Sequence, residues 1–291
     1  MIKKILNFSL LTNLLNFIKF EHSVFALPFA LSGAILAKEN GLPDISTICW
    51  IALAMIGARS FAMSINRIID KDIDALNPRT KTRELPQGIL TKKQAIFFSV
   101  ISLIVFISAT YQLPRICLLL LPIAGVWFLI YPYTKRFTSL SHLWLGIALG
   151  ASVLAGWIAC GGKITSPLPY ILGLAVAFWV AGFDIIYGCQ DYDFDKNNNL
   201  YSIPAKFGIK NALLISKLFH VLTVLFLIIL AQFINPSIIY WFCIIFVIGM
   251  LYYEHSLIKE NDLSKVNIAF FIMNGWVSIG FFIFILFEKI T

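Results

Sequence analysis

Asn66, Asp70 and Asp74 stand at i, i+4 and i+8, so a helix continuing through them places three oxygen-bearing side chains on one face. Such a row suits a hard divalent cation, and Mg2+ often binds through one or two carboxylates plus the phosphates of a substrate. Arg79, Lys81 and Arg83 follow in the same connection, where their side chains would grip phosphate oxygens. Much later, Tyr187, Asp191 and Asp195 repeat the i, i+4, i+8 spacing. Both rows are therefore expected to face one diphosphate. Asp72 and Asp193 point differently and are weaker candidates. Carboxylates packed this densely repel one another unless cations, metal or protein, sit between them. That requirement brings Lys135 and Arg136 into the same account, although basic residues in such connections also serve as topology signals.

The elements that must position these rows are membrane-spanning. The 291 residues are 59% hydrophobic and only 13% charged, with a mean hydropathy of +0.84. A soluble domain has nowhere to bury that much apolar surface, and the runs are continuous rather than alternating, so the fold expected is all-α. Nine apolar runs are marked, approximately 24–37, 46–69, 94–111, 116–133, 143–160, 169–187, 212–233, 237–253 and 267–287. The first is short and is expected to begin nearer Phe17. The whole chain, 1–291, reads as one domain, with an interfacial amphipathic helix over 1–20 rather than a signal peptide and a transmembrane bundle over 24–287.

Charge fits the same picture. Of 23 Lys and Arg, 16 fall in the N-terminus and even connections and 4 in the odd connections and C-terminus. This asymmetry predicts that the N-terminus and both acidic rows are cytoplasmic, in a bacterial inner membrane. A net charge of +8 is then topology rather than a nucleic-acid footprint, and no obligate protein partner is implied. Five scattered cysteines and four dispersed histidines form no zinc or redox spacing. His22 alone among the histidines is singled out, at the mouth of the first span. Arg59 and Asp184 lie inside spans, where a charge is costly and points to function. Each acidic row follows the second span of a four-span group, a faint internal duplication. Some of the 26 Phe would line a tube for an isoprenoid tail and shield a carbocation.

These residues resemble the UbiA family of intramembrane aromatic prenyltransferases. The family's N-D-x-x-D-x-x-x-D motif corresponds to Asn66-Arg67-x-x-Asp70-x-x-x-Asp74, and its R-T-x-x-R-x-L-P-x-G element to Arg79-Thr80-x-x-Arg83-x-Leu85-Pro86-x-Gly88. Its Y-P-x-x-K-R element matches Tyr131-Pro132-x-x-Lys135-Arg136, and its Y-x-x-x-D-x-x-x-D motif matches Tyr187-x-x-x-Asp191-x-x-x-Asp195. The departure is Arg67 where the family usually has Asp. The N-R-x-x-D form, with Asp74-Ala75-x-Asn77-Pro78-Arg79-Thr80, also resembles a 4-hydroxybenzoate prenyltransferase-like subgroup, some of whose members serve menaquinone synthesis by the futalosine route.

The resemblance implies transfer of a polyprenyl group from polyprenyl diphosphate to an aromatic acceptor, 4-hydroxybenzoate in ubiquinone synthesis or a futalosine-route aromatic. It implies Mg2+ on Asn66, Asp70, Asp74, Asp191 and Asp195, and diphosphate on Arg67, Arg79, Arg83, Lys135 and Arg136. Asp191 or a close neighbour is expected to act as the base with Tyr187 orienting the acceptor, and Arg59, with His22 and Asp184 also available, is expected to bind it. An ion-coupled transporter is the rival of another class, with Arg59 and Asp184 on an ion path. A CDP-alcohol phosphotransferase is disfavoured because its D-G-x-x-A-R core is absent. Haem farnesylation and chlorophyllide phytylation have less support from the motif variants.

Overall fold

The computed structural model describes residue 10 and residues 12–19 and 23–290, with backbone only at Ser23 and Val24. Its elements are α1 (Ser23–Leu36), α2 (Ile45–Ile69), the short α3 (Lys71–Leu76), α4 (Lys92–Tyr111), α5 (Arg115–Ile130) and α6 (Ser141–Ala159). There follow α7 (Leu168–Gly188), the short α8 (Tyr192–Asn197), α9 (Ile203–Ile234), α10 (Ile238–Ser256) and α11 (Asn274–Ile290). Among the described residues there is no β-strand. Among the described residues, eight helical stretches are long and apolar enough to cross a bilayer, and a ninth, Phe25–Leu36, is apolar but short. The protein is an integral membrane protein of helical-bundle architecture.

The first span differs from expectation. Residues 12–17 form a helix of their own, which gives way at Lys19 (φ 49°), and α1 starts afresh at Ser23. Of the helix expected over 1–20, residues 1–9, 11 and 20 lie outside the described residues. Phe17 and Ile18 are buried against Leu85, Leu90 and Ala95, so this segment packs onto the connection that carries the first acidic row. At about 1.5 Å per residue the 14 residues of α1 reach only about 21 Å, against a hydrocarbon core of about 30 Å. Packing explains why so short a helix is kept. It lies along α6 and α11 and buries Phe25, Phe29, Ala30, Ala34 and Ile35.

Burial is distributed unevenly, and the distribution says which spans carry the site. In the stretch 168–197 the apolar window is 72% buried, whereas in 115–136 it is 6% buried. The second acidic row therefore sits at the end of the most enclosed helix, while α5 faces lipid. Small residues permit that enclosure. Gly156 of α6 lies against the Ala30 carbonyl of α1, and Gly150 lies against the Gly173 carbonyl of α7. Without a hydrophobic drive between helices in lipid, such backbone approach supplies the van der Waals contact that holds them.

Two local breaks interrupt the helices near the ends of spans. Gly208, at φ 79°, interrupts α9 just past its Ser202 cap, so the straight part of this span begins near the residue 212 read from sequence. The turn entering α11 is a π-helix over Ile268–Met273. Its widened carbonyls at Ala269 and Phe270 accept from Asn274 Nδ2 at 3.1 and 3.2 Å. The same amide donates to Glu254 Oε1 at 3.0 Å, so a fully buried polar pair holds the bulge in place.

A methyl group at Gly156 would run into the Ala30 carbonyl, whereas one at Gly125 meets nothing within 4 Å. Gly156→Ala is expected to lower stability by about 1–3 kcal/mol, and Gly125→Ala to leave it unchanged or slightly raised. Thermal unfolding in one detergent compares them, and equal melting points would remove the glycine contact from the account.

Candidate active site

Both acidic rows are built the same way. At Asp70 (φ −90°, ψ 6°) α2 ends and the six-residue α3 begins. At Asp191 (φ −97°, ψ 6°) a 3₁₀ turn after α7 gives way to the six-residue α8. Four residues beyond each break, Asp74 and Asp195 are buried, at 6% and 2% exposure, while Asp72 and Asp193 face outward. The faint duplication in the sequence is thus a repeated piece of backbone. The break does not disperse the first row: Asn66 Nδ2 donates to Asp70 Oδ2 at 3.1 Å, and Asp74 N donates to Asp70 O at 2.7 Å.

Each acid of the two rows is met by a base. Arg83 Nη1 donates to both oxygens of Asp74 at 2.7 and 2.8 Å, and Arg136 Nη2 donates to Asp70 Oδ1 at 3.2 Å. Lys135 Nζ lies 3.7 Å from Asp195 Oδ2. Arg79 crosses from the first connection to the second row. Its Nε and Nη2 donate to Asp191 Oδ1 and Oδ2 at 2.9 and 2.6 Å, and its Nη1 donates to the Tyr187 hydroxyl at 2.9 Å. Asn77 Nδ2 also donates to Asp191 Oδ1, at 2.9 Å, while Asn77 Oδ1 accepts from Arg79 N. The two rows, read as facing one diphosphate, are tied directly to each other.

Deeper in the bundle, Asp184 Oδ2 is bonded to His142 Nδ1 at 2.7 Å. The Tyr131 hydroxyl lies in electrostatic reach of Asp184, Asp70, Arg83 and Arg59. Arg67 is 4% exposed, with Nη1 3.7 Å from Glu84 Oε2. Lys81 is exposed at the surface. His22 lies outside the described residues. Beneath the ionic layer, the Tyr187 ring packs on Phe270 at 4.2 Å, and Phe270 meets Phe183 and Phe25 edge-on at 5.3 and 5.7 Å.

Among the described residues no three acids, histidines or cysteines converge as a protein-only metal cage. The donors present are nevertheless hard oxygens on two opposed rows, and Asp195 Oδ2 is buried without a hydrogen-bond partner. That donor set fits a hard cation that takes its remaining ligands from phosphate oxygens.

Over residues 26–277 the sequence matches the UbiA prenyltransferase family. The chain belongs to that family. A 4-hydroxybenzoate octaprenyltransferase of Marinomonas sp. (strain MWYL1) is 28% identical over 262 residues, 90% of this chain and 90% of that protein. The apo UbiA homolog from Aeropyrum pernix K1 has 31% identity and a TM-score of 0.76, covering 93% of this chain and 97% of that one. A UbiA homolog from Archaeoglobus fulgidus, bound to DMAPP and Mg2+, shares the fold with a TM-score of 0.76 at 18% identity, covering 96% and 99% of the two chains. As a UbiA-family member this protein is a prenyltransferase, and the paired rows are its candidate active site.

Two residues here, Glu84 and His142, carry no spacing in the sequence that marks them, and Asn77 is marked only as part of the Asp74–Thr80 stretch of the subgroup resemblance. Only folding brings His142 to a carboxylate 42 residues away.

Burial pushes the Asp70 carboxyl from 3.8 up to about 6; the Arg136 hydrogen bond opposes the rise and Asp74 adds to it. A carboxyl raised in the folded state contributes stability below its unfolded value, and that contribution is lost as pH climbs through 6. Asp70→Asn is therefore expected to melt higher than wild type at pH 7 in EDTA, by at most about 3 kcal/mol, and not at pH 4. Identical pH profiles would contradict the raised carboxyl. Arg79→Met leaves the buried Asp191 without its guanidinium and should cost about 3–5 kcal/mol. Arg136→Met, in a more exposed pair, should cost under about 1 kcal/mol. Denaturation of the two variants side by side checks the order.

Proposed function

We propose that this prenyltransferase moves a polyprenyl group from polyprenyl diphosphate to an aromatic acceptor, 4-hydroxybenzoate foremost, with Mg2+ as cofactor. The observation that carries the reading is the layer of opposed carboxylates, each paired with an Arg or Lys, closing one end of an apolar bundle. These ion pairs are complementary to a metal diphosphate: the acids present what a divalent cation takes, and the bases present what phosphate oxygens take. Arg79, Arg83, Lys135 and Arg136 would then change partners from carboxylate to phosphate.

The residues that would hold Mg2+ are Asn66, Asp70, Asp74, Asp191 and Asp195, and the bound ion would stabilise negative charge on the leaving diphosphate. Arg67 is proposed to contribute a fixed positive charge from beside Glu84, where the family motif carries an acid. An allylic cation generated below this layer needs a wall that excludes water. The stack of Tyr187 on Phe270, with Phe183 and Phe25 behind it, supplies aromatic faces there. Arg59 is assigned to the acceptor carboxylate, in line with the activity named for the Marinomonas relative. The charge asymmetry of the connections supports a cytoplasmic active-site face in a bacterial inner membrane.

Purified protein given Mg2+, a polyprenyl diphosphate and 4-hydroxybenzoate is expected to yield prenylated 4-hydroxybenzoate, read by mass spectrometry and lost in EDTA. Product only from a futalosine-route aromatic would move the acceptor and keep the chemistry. Product that survives EDTA would remove the metal from the reading, and no product from any aromatic, with folded protein, would overturn the transfer itself.

A further inference from the structure

Four carboxylates of the site, Asp70, Asp74, Asp191 and Asp195, are matched with permanently charged bases. Asp184 is not; its described partner is an imidazole, His142 Nδ1 at 2.7 Å. We propose that Asp184, oriented by His142, is the base that removes the ring proton from the prenylated acceptor. The assignment rests on the transfer reaction proposed above and replaces Asp191 in that role.

Asp191 is poorly placed for the task. Its Oδ1 accepts from Asn77 and from Arg79 Nε, and its Oδ2 accepts from Arg79 Nη2. Hydrogen bonds to the charged form stabilise the carboxylate and weaken it as a base, and the Mg2+ proposed to take the place of Arg79 when substrate binds would do the same. Asp184 differs on three counts. Its side chain is 18% exposed and shares a face of α7 with the half-buried Tyr187 three residues on, so it opens toward the space beside Tyr187. That face adjoins the ionic layer: the Tyr187 hydroxyl accepts from Arg79, and the Tyr131 hydroxyl and Lys135 lie in electrostatic reach of Asp184 and also of Asp70 and Asp191 respectively. It also lies one helical turn deeper than Tyr187, on the side of the bundle where an apolar tail would run.

The state of His142 follows from its surroundings. The ring is 1% exposed, and Nε2 is buried without a hydrogen-bond partner, packed by Gly188. An imidazolium carries two N–H donors, and one of them would be stranded here. The neutral tautomer with Nδ1–H donating to Asp184 leaves only a lone pair in the apolar pocket. Such a partner fixes the carboxylate without quenching it, which a guanidinium would do. His142 is therefore a positioning residue and Asp184 the catalytic one.

The step balances without a further reactant. The C–O bond of the prenyl diphosphate breaks and diphosphate keeps the electron pair. The allylic carbon bonds to the ring carbon ortho to the hydroxyl, which still carries its hydrogen. Asp184 takes that hydrogen as a proton, the C–H pair returns to the ring, and the carboxylic acid gives the proton to water at the mouth.

The test uses the full-length protein in detergent with Mg2+, polyprenyl diphosphate, and 4-hydroxybenzoate either protiated or deuterated on the ring. Diphosphate release and prenylated product are measured separately. Asp184→Asn is expected to slow product formation by about 10²- to 10⁴-fold, to show a normal isotope effect absent from wild type, and to release more diphosphate than product. His142→Gln, whose amide still donates, should recover most of the rate that His142→Leu loses. A wild-type rate in Asp184→Asn, or equal loss of diphosphate release and product with no isotope effect, would overturn the assignment. Wild-type protein that prenylates no aromatic ring would instead overturn the reaction, and this inference with it.

Discussion

The contact on which the rest depends is Arg79 gripping Asp191 with two hydrogen bonds while touching the Tyr187 hydroxyl with a third. Asp191 is 4% exposed at the end of the most enclosed helix, where an unpaired carboxylate would cost several kcal/mol. The guanidinium that answers it comes from the other half of the chain, on a connection with no long helix to stiffen it. Asn77 secures that connection by donating to Asp191 and accepting from Arg79 N. A substrate that draws Arg79 away must replace what it gives Asp191. A divalent cation arriving with a diphosphate would do so, and this would couple the two ligands proposed for the site.

The ionic layer is supported from below by an aromatic one. Tyr187 belongs to both: its hydroxyl accepts from Arg79 and its ring rests on Phe270. Phe270 stands on a π-turn whose carbonyls are held by Asn274, itself held by Glu254. Polar groups buried in an apolar bundle are costly, and their use at the turn that sets an aromatic face against the site is consistent with positioning. His220 packs nearby, bonded to His255 and to the Trp179 carbonyl, so the interior polar groups on α9, α10 and α11 form one neighbourhood.

Asp70 and Asp191 share nearly the same backbone angles, each starts a six-residue helix, and each is followed four residues later by a buried acid. The halves nevertheless differ in what they contribute. Three of the four paired bases of the rows, Arg79, Arg83 and Arg136, are arginines, and the two arginines of the first connection divide between the rows. Asp184 has no counterpart acid in the first half, where position 63 is a methionine. The repeated piece of backbone thus carries an asymmetric set of side chains.

Composition and periodicity determined that the chain is a helical membrane bundle, because continuous apolar runs of this length have no other stable disposition. The i, i+4, i+8 spacings determined which acids share a face, and the order of motifs determined the family. Only the tertiary structure decided the rest. The placing of so short a helix as α1 depended on its packing against α6 and α11. The partner of each acid depended on contacts between residues as far apart as Arg79 and Asp191, 112 positions, for which spacing carries no signal. His142 gained a role only when α6 was laid against α7, because a lone histidine acquires its chemistry from what folding puts beside it.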